Sequence, residues 1–315
     1  MSRSIYSIFL RIFTLASVLL LLSCQGKEQK KPLTTSTTST PFSLPTIPPI
    51  INGEAERMLY MAEHYWDKLP LQDTALFAQK QTLEQAFANY CALLETLPEK
   101  LAYRYVKQWM QQLQPYPAWQ HKMTDLAAHY LYDAGSPMLN EALYIPFVES
   151  ALANDQLTDY EKDQLHYRLE VANRNRPGSL ANDFRFIRED GSSQHLHQIQ
   201  APLLLLIFYD PLCENCQAIL NDLQANTLIQ SYQQQDILHI LMIYTEGDEA
   251  VWQSHKKEHP AAWMAAYDQG EIIKNQSLYD LRAMPSLYLL DAQKKVLLKD
   301  VLPEKIFAYL AQKLS

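Results

Sequence analysis

Glycine is scarce in this chain, 7 residues among 315 against 17 prolines, and no two glycines stand in a Gly-x-Gly or Walker-type run. Loops that cradle a phosphate on bare backbone N–H groups are therefore excluded. Positive charge is also short: 27 Lys and Arg against 35 Asp and Glu give a net charge of -8, with few basic clusters. Nothing in that balance provides the electrostatic footprint of nucleic-acid binding, so no nucleic-acid partner is expected. Cysteine is limited to four positions, Cys24, Cys91, Cys213 and Cys216. The last two form a Cys-x-x-Cys pair, but no second pair completes a four-sulfur zinc site and no histidine spacing around Cys213 supplies the missing ligands. Metal is the weaker reading of this pair, and no cofactor is called for. No repeating signature supports a solenoid.

What remains is a globular composition, 48% hydrophobic, in a chain long enough for two domains of ordinary size. The N-terminus stands apart from the fold. Arg3 and Arg11 accompany an apolar run, Ile12 to Leu22, that is too short to span a bilayer as a permanent helix. It ends in Leu21-Leu22-Ser23-Cys24, which resembles a bacterial lipobox. That resemblance implies a signal peptide over residues 1–23 and lipid attachment at Cys24. It implies an envelope location too, with the folded part in the periplasm or at the surface, where disulfides persist. Gln25 in place of Asp favours the outer over the inner membrane. Residues 24–50, rich in Lys, Thr, Ser and Pro, read as a tether that buries no core.

Residues 51–176 are patterned as amphipathic helices joined by short Pro and Gly breaks, and imply an all-α domain. Between Gln81 and Leu97 the apolar positions Leu83, Phe87, Tyr90, Cys91 and Leu94 share one face, which makes Cys91 a small buried hydrophobe. Thr82 with Gln85, and Thr158 with Glu161, have capping-box spacing. Pro146 predicts a bend or split in the helix spanning Leu139–Leu152.

After Arg176-Pro177-Gly178-Ser179 the period changes from helical to alternating. Residues 177–315 alternate strands and helices. Strands are expected at Asp183–Arg188, Gln194–Ile199, Leu203–Phe208, Ile237–Tyr244, Ser286–Asp291 and Val296–Lys299. Helices are expected at Cys213–Ser231, Glu249–Lys257 and Pro303–Leu314. The fold class is α/β, a mixed sheet covered by helices on both faces and preceded by the helical domain. Between the run Leu203–Phe208 and the helix after it lies Tyr209-Asp210-Pro211-Leu212-Cys213-Glu214-Asn215-Cys216. A thiol so placed meets a helix N-terminus, whose free N–H groups and macrodipole favour thiolate.

That order of elements, with Cys213-x-x-Cys216 after a central strand and Met284-Pro285 before a later one, resembles the thioredoxin superfamily. The leading Ala181-Asn182-Asp183-Phe184, the Glu189-Asp190-Gly191 turn, the stretch Trp263 to Asp268 and Pro285 to Asp291 are similar to its TlpA-like envelope branch. The helical half resembles an uncharacterised domain found ahead of such modules in envelope lipoproteins. The resemblance implies Cys213 as the exposed nucleophile, Cys216 as the resolving thiol, and Pro285 as a cis-proline beside them. Met284 would offer backbone hydrogen bonds to an extended substrate. Implied partners are protein thiols and disulfides of the envelope, with room for a membrane redox partner.

The chain departs from this pattern in three places. Leu212 replaces the Trp before the first cysteine, Ile207 stands where many thioredoxins bury a carboxylate, and Ile219 stands where some relatives carry an acid. Glu214 matches some TlpA-like reductases and also suits a helix start. A peroxiredoxin would need Pro-x-x-x-Thr-x-x-Cys, but those positions hold Leu206 and Asp210. The remaining alternative is a lipid-anchored binding or scaffold protein that uses the same fold without chemistry.

Overall fold

The computed structural model describes residues 42–154 and 157–313. The signal peptide, Cys24 and the tether as far as residue 41 lie outside the described residues, as does Leu314. Thr40–Ser315 forms one compact unit. Among the described residues its first half holds six α-helices: α1 (Glu54–His64), α2 (Lys80–Glu95), α3 (Glu99–Gln112), α4 (Pro117–Ala127), α5 (Glu141–Leu152) and α6 (Asp159–Asn173). Their apolar faces meet in a single core. Leu83, Phe87, Tyr90, Cys91 and Leu94 of α2 are buried there, at the three- and four-residue spacing of one helix face. Cys91 is fully buried, and burial raises its thiol pKa well above the ordinary value.

Two local expectations for this half are corrected. The capping box at Thr82 and Gln85 does not form, because α2 starts at Lys80 and Thr82 falls inside its first turn. Gln85 instead donates to Asn89 at 2.9 Å. The box at Thr158 and Glu161 does form: the Glu161 N–H donates to Thr158 Oγ1 at 3.3 Å and the Thr158 N–H to Glu161 Oε2 at 2.8 Å. Nor is α5 split at Pro146. The carbonyl four residues back belongs to the helix's first turn, so the proline interrupts the ladder close to its start.

Among its described residues the second half carries seven strands: β1 (Arg185–Arg188), β2 (Ser193–His195), β3 (Leu203–Tyr209), β4 (Leu238–Tyr244), β5 (Met264–Tyr267), β6 (Ser286–Asp291) and β7 (Val296–Leu298). They form one mixed sheet in the order β2-β1-β5-β4-β3-β6-β7. At its centre β3 runs parallel to β4 and antiparallel to β6. Side chains alternate along β3, so Leu205, Ile207 and Tyr209 enter the core on one face while Leu204, Leu206 and Phe208 enter the other. Burial on both faces explains why its sequence is an unbroken apolar run.

The segment Cys213–Ser231, expected as one helix, is two: α7 (Glu214–Ala225) and α8 (Thr227–Gln234). Asn226 separates them, its side chain accepting from the N–H groups of Leu228 at 3.0 Å and Ile229 at 3.2 Å. This N-cap starts a new helix where apolar spacing alone suggested continuation. Further helices are α9 (Glu249–Ser254), α10 (Ile272–Asn275) and α11 (Pro303–Lys313). The chain between the halves runs along the free edge of β7. There Gly178 donates to Val296 O at 2.7 Å, and Val296 returns a bond to Ser179 O at 2.9 Å.

Candidate active site

β3 delivers the chain to the C-terminal edge of the sheet, where Asp210 turns it. The Leu212 N–H donates to Asp210 Oδ1 at 2.9 Å and the Cys213 N–H to Asp210 O at 3.1 Å. The turn places Cys213 as the N-cap of α7, in extended conformation (φ -87°, ψ 114°). Its Sγ takes the role that a capping oxygen fills elsewhere and accepts the Cys216 N–H at 3.2 Å. Both cysteines are free thiols with unequal surroundings: Cys213 is half-buried and Cys216 fully buried. Burial pushes the Cys216 thiol up to about 12; neighbouring Cys213 adds to the rise, and a hydrogen bond from the Asp210 backbone opposes it.

The Met284–Pro285 peptide bond is cis, and Met284 faces the dithiol. The Met284 carbonyl accepts from Asn215 Nδ2 at 3.2 Å and lies 3.9 Å from Cys213 Sγ. This loop is held from the helical half. Arg282, two residues before Met284, donates to the Tyr132 carbonyl and to Glu141 Oε1, the latter at 3.1 Å, and its guanidinium lies 3.5 Å above the Tyr132 ring. Lys299 sits 2.6 Å from Glu141 Oε2 and donates to the carbonyls of Val171, Ala172 and Arg174 at the end of α6. Burial raises the Glu141 carboxyl, against the pull of Lys299 and Arg282.

A thioredoxin-like protein from Bacteroides caccae, solved by crystallography, is 35% identical to this chain, covers 87% of it over 99% of its own length, and has a TM-score of 0.83. This chain belongs to the thioredoxin-like proteins. The C-terminal domain of an uncharacterised Bacteroides fragilis protein is 37% identical over 44% of this chain and 98% of its own, with a TM-score of 0.43. A thiol-disulfide oxidoreductase from the same species is 20% identical over 43% of this chain and 99% of its own, with a TM-score of 0.38. Residues 22–175 match a family model described as a domain of unknown function, DUF5106. No curated protein matches the chain.

In this thioredoxin-like chain Ile207 is fully buried below the dithiol, and Leu212, in the place of the familiar Trp, is 64% exposed. Three faces of α7 have separate surroundings. Cys216 and Leu223 point into the core. Gln217, Leu220, Asn221 and Gln224 line a pocket of about 180 Å³ together with His259. Asn215 and Ile219, one turn apart, line a cleft of about 460 Å³ that extends past Met284 and Pro285 to the helical half.

The structure thus brings Cys213, Cys216, Met284 and Pro285 together. It also adds residues that sequence reasoning missed. Asn215 lies inside the Cys-x-x-Cys segment, and its position there was the available signal. Arg282 and Glu141 are 141 positions apart, and no local pattern links them. The same holds for Tyr209, whose hydroxyl is 2.8 Å from His259 Nε2, while His259 Nδ1 is 2.8 Å from Glu189. Among the described residues, no three His, Cys, Asp or Glu side chains gather to hold a metal ion. Likewise no described helix is long and apolar enough to cross a membrane.

Proposed function

We propose that this protein is a thiol–disulfide oxidoreductase of the TlpA-like kind, held in the cell envelope through lipidated Cys24 and acting on protein thiols and disulfides. The observation that carries the reading is the position of Cys213 Sγ. It caps α7, accepts the Cys216 N–H at 3.2 Å, and stands 3.9 Å from the carbonyl of the residue before a cis-proline. In the reductive direction the Cys213 thiolate attacks one sulfur of a substrate disulfide, and the other sulfur leaves as a thiolate that takes up a proton. Cys216 loses its proton and attacks Cys213 Sγ, releasing the second substrate thiol. The substrate gains two electrons, and the protein is left with a Cys213–Cys216 disulfide that an external dithiol must reduce. The oxidative direction is the same sequence reversed.

The test is an insulin-reduction or scrambled-disulfide assay on the soluble part, from about Asn52. Activity should vanish in Cys213→Ser, and Cys216→Ser should accumulate a mixed disulfide with the substrate. A correctly folded but inert wild type would return the reading to a scaffold, which the buried Ile207 in place of a proton-handling carboxylate favours. The dithiol potential gives the direction: a value near about -270 mV marks a reductase and one near about -120 mV an oxidant.

A further inference from the structure

We propose that the cleft between the two halves receives an extended stretch of polypeptide carrying a large apolar side chain beside the cysteine that Cys213 attacks. The helical half is then a second wall of the substrate site and takes part in choosing the substrate. This rests on the thiol–disulfide reading and adds a substrate class to it.

Three observations carry the inference. The first is continuity. The cleft begins at Asn215 and Met284, the two residues joined by a hydrogen bond beside Cys213 Sγ. A chain joined to Cys213 by a sulfur–sulfur bond of about 2.05 Å already lies at its mouth. The second is lining. Ile219, Pro285, Leu298 and Leu302 face Leu139 and Ala142 of the helical half across the cleft. Leu302 is 59% exposed although large and apolar, and among the described residues nothing covers it fully. The third is charge. Most ionic groups that reach the cleft are already partnered, Glu141 by Lys299 and Arg282, Arg176 by Glu99, and Asp300 by the Ser286 hydroxyl at 2.7 Å, while the exposed Lys305 ammonium is left to solvent. A small charged thiol would find few free polar partners there, whereas an apolar side chain displaces water from apolar walls. At about 460 Å³ the cleft has room for such a side chain together with its backbone.

The experiment uses the reduced protein and two disulfide-linked peptides that differ only beside the cysteine, Leu-Phe in one and Ser-Ser in the other. The wild type should favour the apolar peptide in kcat/KM by on the order of tenfold. Leu139→Asp, on the helical wall, should bring that ratio close to one. If that variant does not fold, Leu302→Asp repeats the test from the opposite wall at an exposed position. Tyr167→Ser, 57% exposed on α6 and outside the cleft, should keep the wild-type ratio. Equal use of both peptides by the wild type, or a ratio unmoved by both cleft substitutions, overturns the proposal. Fluorescence anisotropy with the Leu-Phe peptide carrying Ser for Cys separates the two readings. Tight binding without thiol turnover sinks the oxidoreductase and keeps the cleft. Turnover without preference sinks the cleft and keeps the oxidoreductase.

Discussion

Cys213 and Cys216 are three residues apart, yet the protein surrounds them differently, and the difference suits the order of reaction proposed above. Cys213 is half-buried beside Met284, whereas the Cys216 sulfur is sealed under α7, where burial pushes its thiol up to about 12. Cys216 therefore stays protonated near neutrality, and in the proposed exchange it would leave the incoming disulfide to Cys213. A pKa raised by folding also has a consequence for stability. Below the ordinary thiol value of 9.0 the folded and unfolded chains both hold the proton, and the full contribution is present. From there towards 12 the unfolded chain releases it while the folded chain keeps it, so stability falls as pH rises. Reduced wild type and reduced Cys216→Ser share Cys91, Cys213 and every tyrosine, so their difference isolates Cys216. Urea midpoints measured from pH 7 to pH 10 should show the wild type losing ground to the variant above pH 9. Parallel curves would remove the buried-thiol account.

At the scale of elements, the turn from α7 to α8 shows what one polar residue decides. Asn226 binds two N–H groups of α8, so Asn226→Ala should cost about 1 kcal/mol, readable as a lowered urea midpoint. An unchanged midpoint would mean that packing alone fixes the break. Most of the sheet was legible because its strands carry their burial pattern in the sequence: β3 is an unbroken apolar run, β4 is one interrupted at His239, and Asp190-Gly191 marks the β1–β2 hairpin. The Cys-x-x-Cys pair and Met284-Pro285 were legible from their places on those elements. The division at Asn226 was harder to read, because Leu228 and Ile229 continue the apolar spacing across the cap. The extra first turn of α2 is likewise hidden, since Lys80 and Gln81 carry no start signal and Thr82 carries a misleading one. The cleft had no local signature. Its two walls lie in different halves of the chain, and only tertiary contacts bring them together.

Among the described residues, a helical core and a sheet with a core on each face are tied together by charge. The buried apolar residues of the helical half form one cluster and share no member with the two clusters that sandwich the sheet. Between them, Glu141 of α5 meets Lys299 and Arg282 of the sheet half, and Lys299 also donates to the carbonyls at the end of α6. Such a tie fixes geometry more than it adds stability, because desolvating the ions offsets much of their attraction. Breaking one member is another matter. Lys299 is 5% exposed and Glu141 12% exposed, so Lys299→Met would leave Glu141 poorly solvated, with Arg282 as its remaining ion-pair partner. The expected cost is about 3–5 kcal/mol in urea unfolding. Adding Glu141→Gln removes the stranded charge, so the double variant should be more stable than Lys299→Met alone, with a coupling on the order of 1–3 kcal/mol. Because Arg282 leads directly into Met284–Pro285, loosening this tie should also free the loop that carries them. In Lys299→Met the apolar-over-polar peptide ratio should fall even at temperatures where the protein remains folded. A variant that loses stability but keeps the full ratio would show that the tie supports the fold without positioning the cleft.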